Sequence, residues 1–167
     1  MFALNLAGNF SAGIAILAGL IGGIAMLMVI YGGRAMGMTR MDLLKTLGTM
    51  MMPKAADNLA YGVGLMMHLM MSAAFGLVHA GLLHAFGPTS DGGATVLGIV
   101  FGSVHGAMVT VAMPMMLTMG HPLVKSGEMD APGSMMTGFG KMTPMGMVMA
   151  HVVFGLVAGV IYAALVG

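Results

Sequence analysis

The sequence contains no cysteine, and only 7% of its residues are charged. Without cysteine the chain has no disulfides, no thiolate metal ligands and no cysteine nucleophile. The charged fraction is also low, since roughly a quarter of the residues in a soluble domain of this length are charged. Since 59% of the 167 residues are hydrophobic, the composition indicates an integral membrane protein.

Unbroken apolar runs of about twenty residues indicate which class of membrane protein this is. The strands of a membrane barrel would alternate apolar and polar residues over about ten positions. About twenty apolar residues in a helix cross a hydrocarbon core of roughly 30 Å. The sequence therefore predicts an all-α membrane protein, a four-transmembrane-helix bundle forming one domain over residues 1–167, with spans at residues 13–31, 59–86, 94–118 and 145–166. No Lys or Arg precedes the first span, so we expect a retained helix rather than a secretory signal.

The connecting segments differ in character. Over residues 39–52, Thr39 and Asp42 resemble a capping box, and apolar residues recur at helical spacing opposite Lys45 and Thr49. This pattern predicts a short interfacial amphipathic helix. The glycine-rich turn at residues 87–93 predicts that the second and third spans are antiparallel neighbours. Residues 119–143 are expected to form a long cytoplasmic loop.

The basic residues predict the orientation in the membrane. All of them fall on the face reached after the first and third spans: Arg34, Arg40, Lys45, Lys54, Lys125 and Lys141. Short loops rich in Lys and Arg stay in the cytoplasm. We therefore expect a multi-pass protein of the prokaryotic inner membrane with both termini on the non-cytoplasmic side.

Small residues recur every four positions in each span. Such stripes let membrane helices approach closely, so we expect them to pack one bundle, with oligomerisation through one stripe as the alternative. The stripes are Ala15, Gly19, Gly23; Ser72, Gly76, Ala80; Ala94, Gly98, Gly102, Gly106; and Gly155, Gly159, Ala163.

Three histidines form the first candidate site. His68, His105 and His151 lie on the last three spans at comparable depths, given a rise of about 1.5 Å per residue. An ionisable group inside a membrane is costly and is a functional candidate. One hypothesis is a metal site made of three imidazoles. The other is that each neutral ring donates a hydrogen bond between helices. A b-type heme held by His68 and His79 is a weaker alternative, because axial ligands approach from opposite faces of the macrocycle.

The methionines are the second feature. Apart from the first residue, all of the 25 methionines lie in residues 26–52, 66–71 and 108–149, which belong to the cytoplasmic half. Thioether sulfur suits Cu(I), although a copper protein of the reducing cytoplasm would be expected to use thiolates. The alternative is that methionine, being flexible, fills gaps or forms a docking surface. The candidate sulfur ligands are Met66, Met67, Met70, Met71, Met108, Met113 and Met149.

Two function classes follow from these features. The first is a soft-metal protein that binds or translocates Cu(I) through a Met/His layer. The second is a non-catalytic accessory or assembly subunit of a larger membrane enzyme, of the respiratory or copper-dependent oxidase or monooxygenase type. We expect no enzymatic activity, because no carboxylate lies within a span and no nucleophile or phosphate-loop motif is present. No basic patch for nucleic acid is present either. The expected partners are the lipid bilayer and either a second copy of the chain or a larger membrane complex.

Several stretches together carry a resemblance. They are a glycine-rich first span, then MGMTRMDLLKTLG, a histidine early in the second span, FGSVHGAMVTVAMPMM in the third and HVVFGLVAGVIY in the fourth. With these motifs the chain resembles a group of small, uncharacterised four-span prokaryotic integral membrane proteins. The resemblance covers most of the chain and implies a fold but no activity.

Overall fold

The computed structural model describes residues 10–88 and 90–166 and is entirely helical over that part of the chain. Four of its helices are long and apolar enough to cross a membrane, in agreement with the four predicted spans. The long helices are α1 (Ala12–Ala35), α3 (Asp57–Phe86), α4 (Asp91–Gly120) and α6 (Thr143–Val166), and the shorter ones are α2 (Leu43–Met51), α5 (Pro122–Lys125) and a 3₁₀ helix (Ser134–Phe139). The predicted turn residue Thr89 and both chain termini, residues 1–9 and 167, lie outside the described residues.

Contacts between small residues determine which helices pack closely against each other. Gly98 and Gly155 approach so closely that a Cβ added to either would lie 2.4 or 2.2 Å from the other's carbonyl oxygen. The same holds where Gly19 of α1 meets the backbone of Ser72 in α3. All the stripe residues are buried, and these crossings use them within one chain. Close backbone approach of this kind packs membrane helices without a hydrophobic drive between them.

The helices pack in the spatial order α3, α1, α6, α4, and each runs antiparallel to its neighbours in that order. The second and third spans run antiparallel, as predicted, but they meet through side chains such as Phe75 and His105 rather than through close backbone packing. The turn between α3 and α4 is short, with Gly87 left-handed at φ 57° and Ser90 capping α4. Because α3 presents its small residues to α1 and α4 presents its own to α6, the backbones of α3 and α4 approach each other little.

Helix α2 differs from its sequence prediction at its start and on one face. It begins at Leu43, and Asp42 is the N-cap, accepting the Lys45 N–H at 3.3 Å. Thr39 does not cap the helix, because its hydroxyl lies 2.8 Å from that of Thr143 in α6. Thr49 was expected on the polar face, but it is buried and donates to the Lys45 carbonyl at 2.7 Å.

Helix α2 packs directly on α3. A Cβ on Gly48 would lie 1.8 Å from the Ala60 carbonyl oxygen, and one on Gly64 would lie 1.9 Å from the Leu44 carbonyl oxygen. Two glycines therefore allow the backbones of α2 and α3 to touch. This contact makes α2 part of the bundle.

A carboxylate joins three helices near α2. Asp42 is only 12% exposed and accepts a hydrogen bond from the Tyr31 hydroxyl of α1 at 2.8 Å. It also accepts from Tyr61 of α3 and forms an ion pair with Arg34 of α1. Asp42 thus ties α1, α2 and α3 together.

The six basic residues lie at one end of the bundle, called the basic end here. Arg34 ends α1, Lys54 precedes α3, Lys125 ends α5 and Lys141 precedes α6, and these helix ends meet because the helices alternate in direction. Residues 119–143, predicted as a loop, are packed against the bundle at this end. Within them Met136 is fully buried, and the Arg40 N–H donates to the Phe139 carbonyl at 2.7 Å.

Candidate functional site

A cavity of about 70 Å³ lies inside the bundle between α3 and α4, where those two helices diverge. His68, His105 and His151 all line it. The structure therefore brings together the three histidines singled out in the sequence. The cavity reaches the surface between α3 and α4, because two of its lining residues, Met71 and Phe75, are 44% and 36% exposed.

His68 is held by α1. It is buried, and its Nε2 donates to the Gly23 carbonyl at 3.0 Å, since a carbonyl oxygen can only accept. This bond is possible because Gly23 has no side chain between the two helices. It gives His68 the interhelical role that the packing hypothesis predicts. A neutral imidazole has one N–H and one lone pair, so the bond leaves Nδ1 with a lone pair.

His151 is fixed in the opposite tautomer. Its Nδ1 donates to the carbonyl of Met147, one turn earlier in α6, at 2.7 Å. The neutral ring therefore has its lone pair on Nε2. In metal sites, the ligating histidine usually donates its other ring N–H to a carbonyl or carboxylate, which orients the ring. His68 and His151 both show that second bond.

His105 is the central ring of the cluster. Its centroid lies 4.6 Å from that of His151 and 5.7 Å from that of His79, and it stacks on Phe75 at 4.0 Å. The Nδ1 atoms of His105 and His79 are buried and have no hydrogen-bond partner among the residues that the structure describes. Buried polar atoms are nearly always paired, so each exception requires an explanation such as an unseen water or ion.

The predicted methionine ligands divide into two groups. Met71 and Met113 line the cavity, and Met113 is only 6% exposed. The structure does not bring the other predicted sulfurs to the cavity. Met67 is half-buried, and four residues are exposed on the outside of the bundle: Met66, Met70, Met108 and Met149.

Sequence reasoning missed three residues of the cluster. Met26 and Met147 line the cavity, and Met147 lies four residues before His151, on the line that continues the α6 stripe. That spacing was a usable signal. From the sequence, His79 is a candidate only for the heme alternative. Its position beside His105 depends on how α3 and α4 are placed relative to each other, for which the sequence contains no signal.

The remaining histidines have structural contacts. His121 lies near the end of the third span, a position at which the sequence predicts a solvated histidine, but it is fully buried, and its Nε2 donates to the Thr46 carbonyl of α2 at 3.0 Å. That expectation was wrong, because residues 119–143 fold over the basic end. At the opposite end, the His84 Nε2 lies 2.8 Å from the Tyr162 hydroxyl.

Among the described residues, no three His, Asp or Glu side chains are placed so that they could hold one metal ion. An ion in the cavity would therefore need thioether ligands beside imidazole. The assignment of metal ligands stays a prediction.

No protein-family model matches the chain, and comparisons with curated proteins and with solved structures give no match either. The function is therefore argued from the cavity and the surface of the bundle.

Proposed function

We propose that this protein binds Cu(I) in the histidine- and methionine-lined cavity and passes the ion within the membrane. The observation that supports this most directly is the orientation of His68 and His151. Each ring donates one N–H to a backbone carbonyl, and so each keeps a lone pair on its other nitrogen.

The chemistry of the cavity wall favours a soft ion. In the described part of the chain, four thioethers and three imidazoles line the cavity, and no carboxylate does. Thioether and imidazole ligands suit Cu(I), whereas Mg²⁺, Ca²⁺ and Mn²⁺ prefer carboxylate, carbonyl and water oxygens. The thioethers are those of Met26, Met71, Met113 and Met147.

An anaerobic titration tests this function. Metal-free protein in detergent receives Cu(I) in competition with a chromophoric Cu(I) chelator. We expect the chain to withdraw at least one Cu(I) from the chelator, and to retain no Mg²⁺ under the same conditions. A chain that leaves all the Cu(I) on the chelator would contradict the proposal.

A second candidate function is that of a non-catalytic accessory or assembly subunit of a larger membrane enzyme. The observation that favours it is the outward position of Met66, Met70, Met108 and Met149, each more than half exposed. Flexible methionine side chains form adaptable docking surfaces. The titration separates the two functions, because a docking surface requires no retained metal.

The proposal also includes the orientation. The four apolar helices are consistent with a multi-pass membrane protein, and we place the basic end in the cytoplasm of a prokaryotic cell because Lys and Arg are retained there. Both termini then lie on the non-cytoplasmic side of the inner membrane. A Cu(I) ion would then reach the cavity from the cytoplasmic half of the bundle.

A further inference from the structure

At the edge of the cavity, His79 and His105 form a pair of neighbouring imidazole rings. His79 is only 3% exposed and lies edge-on against Phe101 and Phe154, at centroid distances of 6.2 and 5.2 Å. Apolar rings thus pack against His79. The Nδ1 atoms of His79 and His105 are both buried, and neither has a hydrogen-bond partner within residues 10–88 and 90–166.

Two unpaired nitrogens in one place are costly. A buried donor or acceptor without a partner loses its hydration and gains no hydrogen bond in exchange. Ordinary packing offers a remedy, since His68 and His151 each pair with a carbonyl. His79 and His105 do not use it, which suggests that a bound group completes the pair.

We propose that His79 and His105 form a second, two-coordinate Cu(I) site. Two imidazole nitrogens that each bind an ion at about 2 Å lie roughly 4 Å apart. The ring centroids are 5.7 Å apart and the ring planes are inclined at 57°, which places the two rings within reach of one shared ion. Imidazole is a copper ligand, and a two-ligand site needs no third histidine.

This inference rests on the proposed function, because it adds a second binding site for the same ion nearer the non-cytoplasmic side. His105 lines the cavity and also contacts His79. His79 lies 11 residues beyond His68 along α3, toward the end opposite the basic end. The non-cytoplasmic half of the bundle contains no methionine, so imidazole replaces thioether there. The ion would exchange ligands from the cavity to the pair without a change in oxidation state.

Ag(I), a redox-inert substitute for Cu(I), tests the pair in the unaltered protein. Long-range ¹H–¹⁵N NMR of the imidazole nitrogens reports which rings bind the added ion. We expect Ag(I) to shift the ring nitrogens of His79 and His105. The ring of His84, bonded to Tyr162, should not shift and is the internal control.

Single variants provide the second test. His79→Phe removes the pair but leaves the thioethers of the cavity, and it should lower the number of bound Cu(I) by one ion per chain. X-ray absorption at the copper edge should also lose the feature of two-coordinate Cu(I). His84→Phe, the matched control on the same helix, should change neither quantity.

The outcomes distinguish the two proposals. Ag(I) shifts at His68 and His151 without a shift at His79 would overturn this inference and leave the cavity site supported. Shifts at His79 and His105 alone would support the pair and count against the cavity. Unchanged nitrogens in all of these rings would overturn both. An unchanged Cu(I) count in a folded His79→Phe variant would also overturn the pair.

Discussion

At the scale of single residues, the carboxylate of Asp42 is the meeting point of three helices. Tyr31 and Arg34 of α1 and Tyr61 of α3 bond to it, and it caps α2 by accepting the Lys45 N–H.

Asp42 yields a prediction about pH. Burial raises the pKa of its carboxyl group, but donated hydrogen bonds outweigh burial and hold that pKa below the ordinary value of 3.8. The donors are Tyr61, Tyr31, the Lys45 backbone N–H and Arg34. A carboxyl group with a lowered pKa stabilises the fold above its unfolded-state pKa, and this contribution is lost as the pH falls through the folded-state pKa.

We therefore expect the melting temperature of the protein in detergent, followed by helical circular dichroism, to fall as the pH is lowered below about 5. Asp42→Asn should destabilise the fold by about 1–3 kcal/mol at neutral pH, as expected when hydrogen bonds to a charged group are lost. It should also flatten the acid decline. If the Asp42→Asn protein keeps the full loss of melting temperature in acid, carboxylates other than Asp42 cause that loss.

Of the candidate site, His68, His105 and His151 could be grouped from the sequence, because equal depth on three helices follows from the helical rise. The roles of Asp42 and His121 could not be predicted, because each depends on contacts with residues distant in the sequence.

At the scale of elements, the four long helices were predictable because unbroken apolar runs leave few alternatives in a membrane. Their observed ends lie within a few residues of the predicted ones, and the largest difference is α1, which continues to Ala35. The packing of α2 was not predictable, because amphipathic spacing predicts which side is apolar and not which helix covers it. Residues 119–143 fold by contacts of Met136 and Phe139 with the rest of the chain, which local sequence does not indicate.

The contact between α2 and α3 gives a prediction with a matched control. Gly48→Ala would place a Cβ 1.8 Å from the Ala60 carbonyl oxygen, so α2 must move away from α3. Overpacking of this kind costs about 1–3 kcal/mol or more. Gly62→Ala on α3 meets no atom within 4 Å and should change stability by less than about 1 kcal/mol. Equal melting temperatures for the two variants would contradict the close contact.

At the scale of the whole molecule, the order α3, α1, α6, α4 was the least predictable feature. Chain connectivity suggested that α3 and α4 are neighbours, whereas small residues pair α3 with α1 and α4 with α6. The cavity exists because of that arrangement, since it occupies the space between α3 and α4. All the stripes have the same kind of small residues, so the sequence does not indicate which helix each stripe packs against.

The orientation can be measured cleanly because the chain has no cysteine of its own. Asp91 and Lys125 are exposed at opposite ends of the bundle. We expect a membrane-impermeant maleimide to label Asp91→Cys in intact prokaryotic cells, and to label Lys125→Cys only after permeabilisation. The reverse pattern would place the basic end outside and contradict the proposed orientation.

The ligands of Cu(I) in the loaded protein test the central claim most directly, and X-ray absorption at the copper edge measures them. Sulfur scattering should appear in the wild-type chain, diminish in Met113→Leu and persist in Met66→Leu, because Met113 lines the cavity and Met66 lies outside it. Spectra without sulfur ligands would contradict the account. So would sulfur ligation that survives in Met113→Leu and disappears in Met66→Leu.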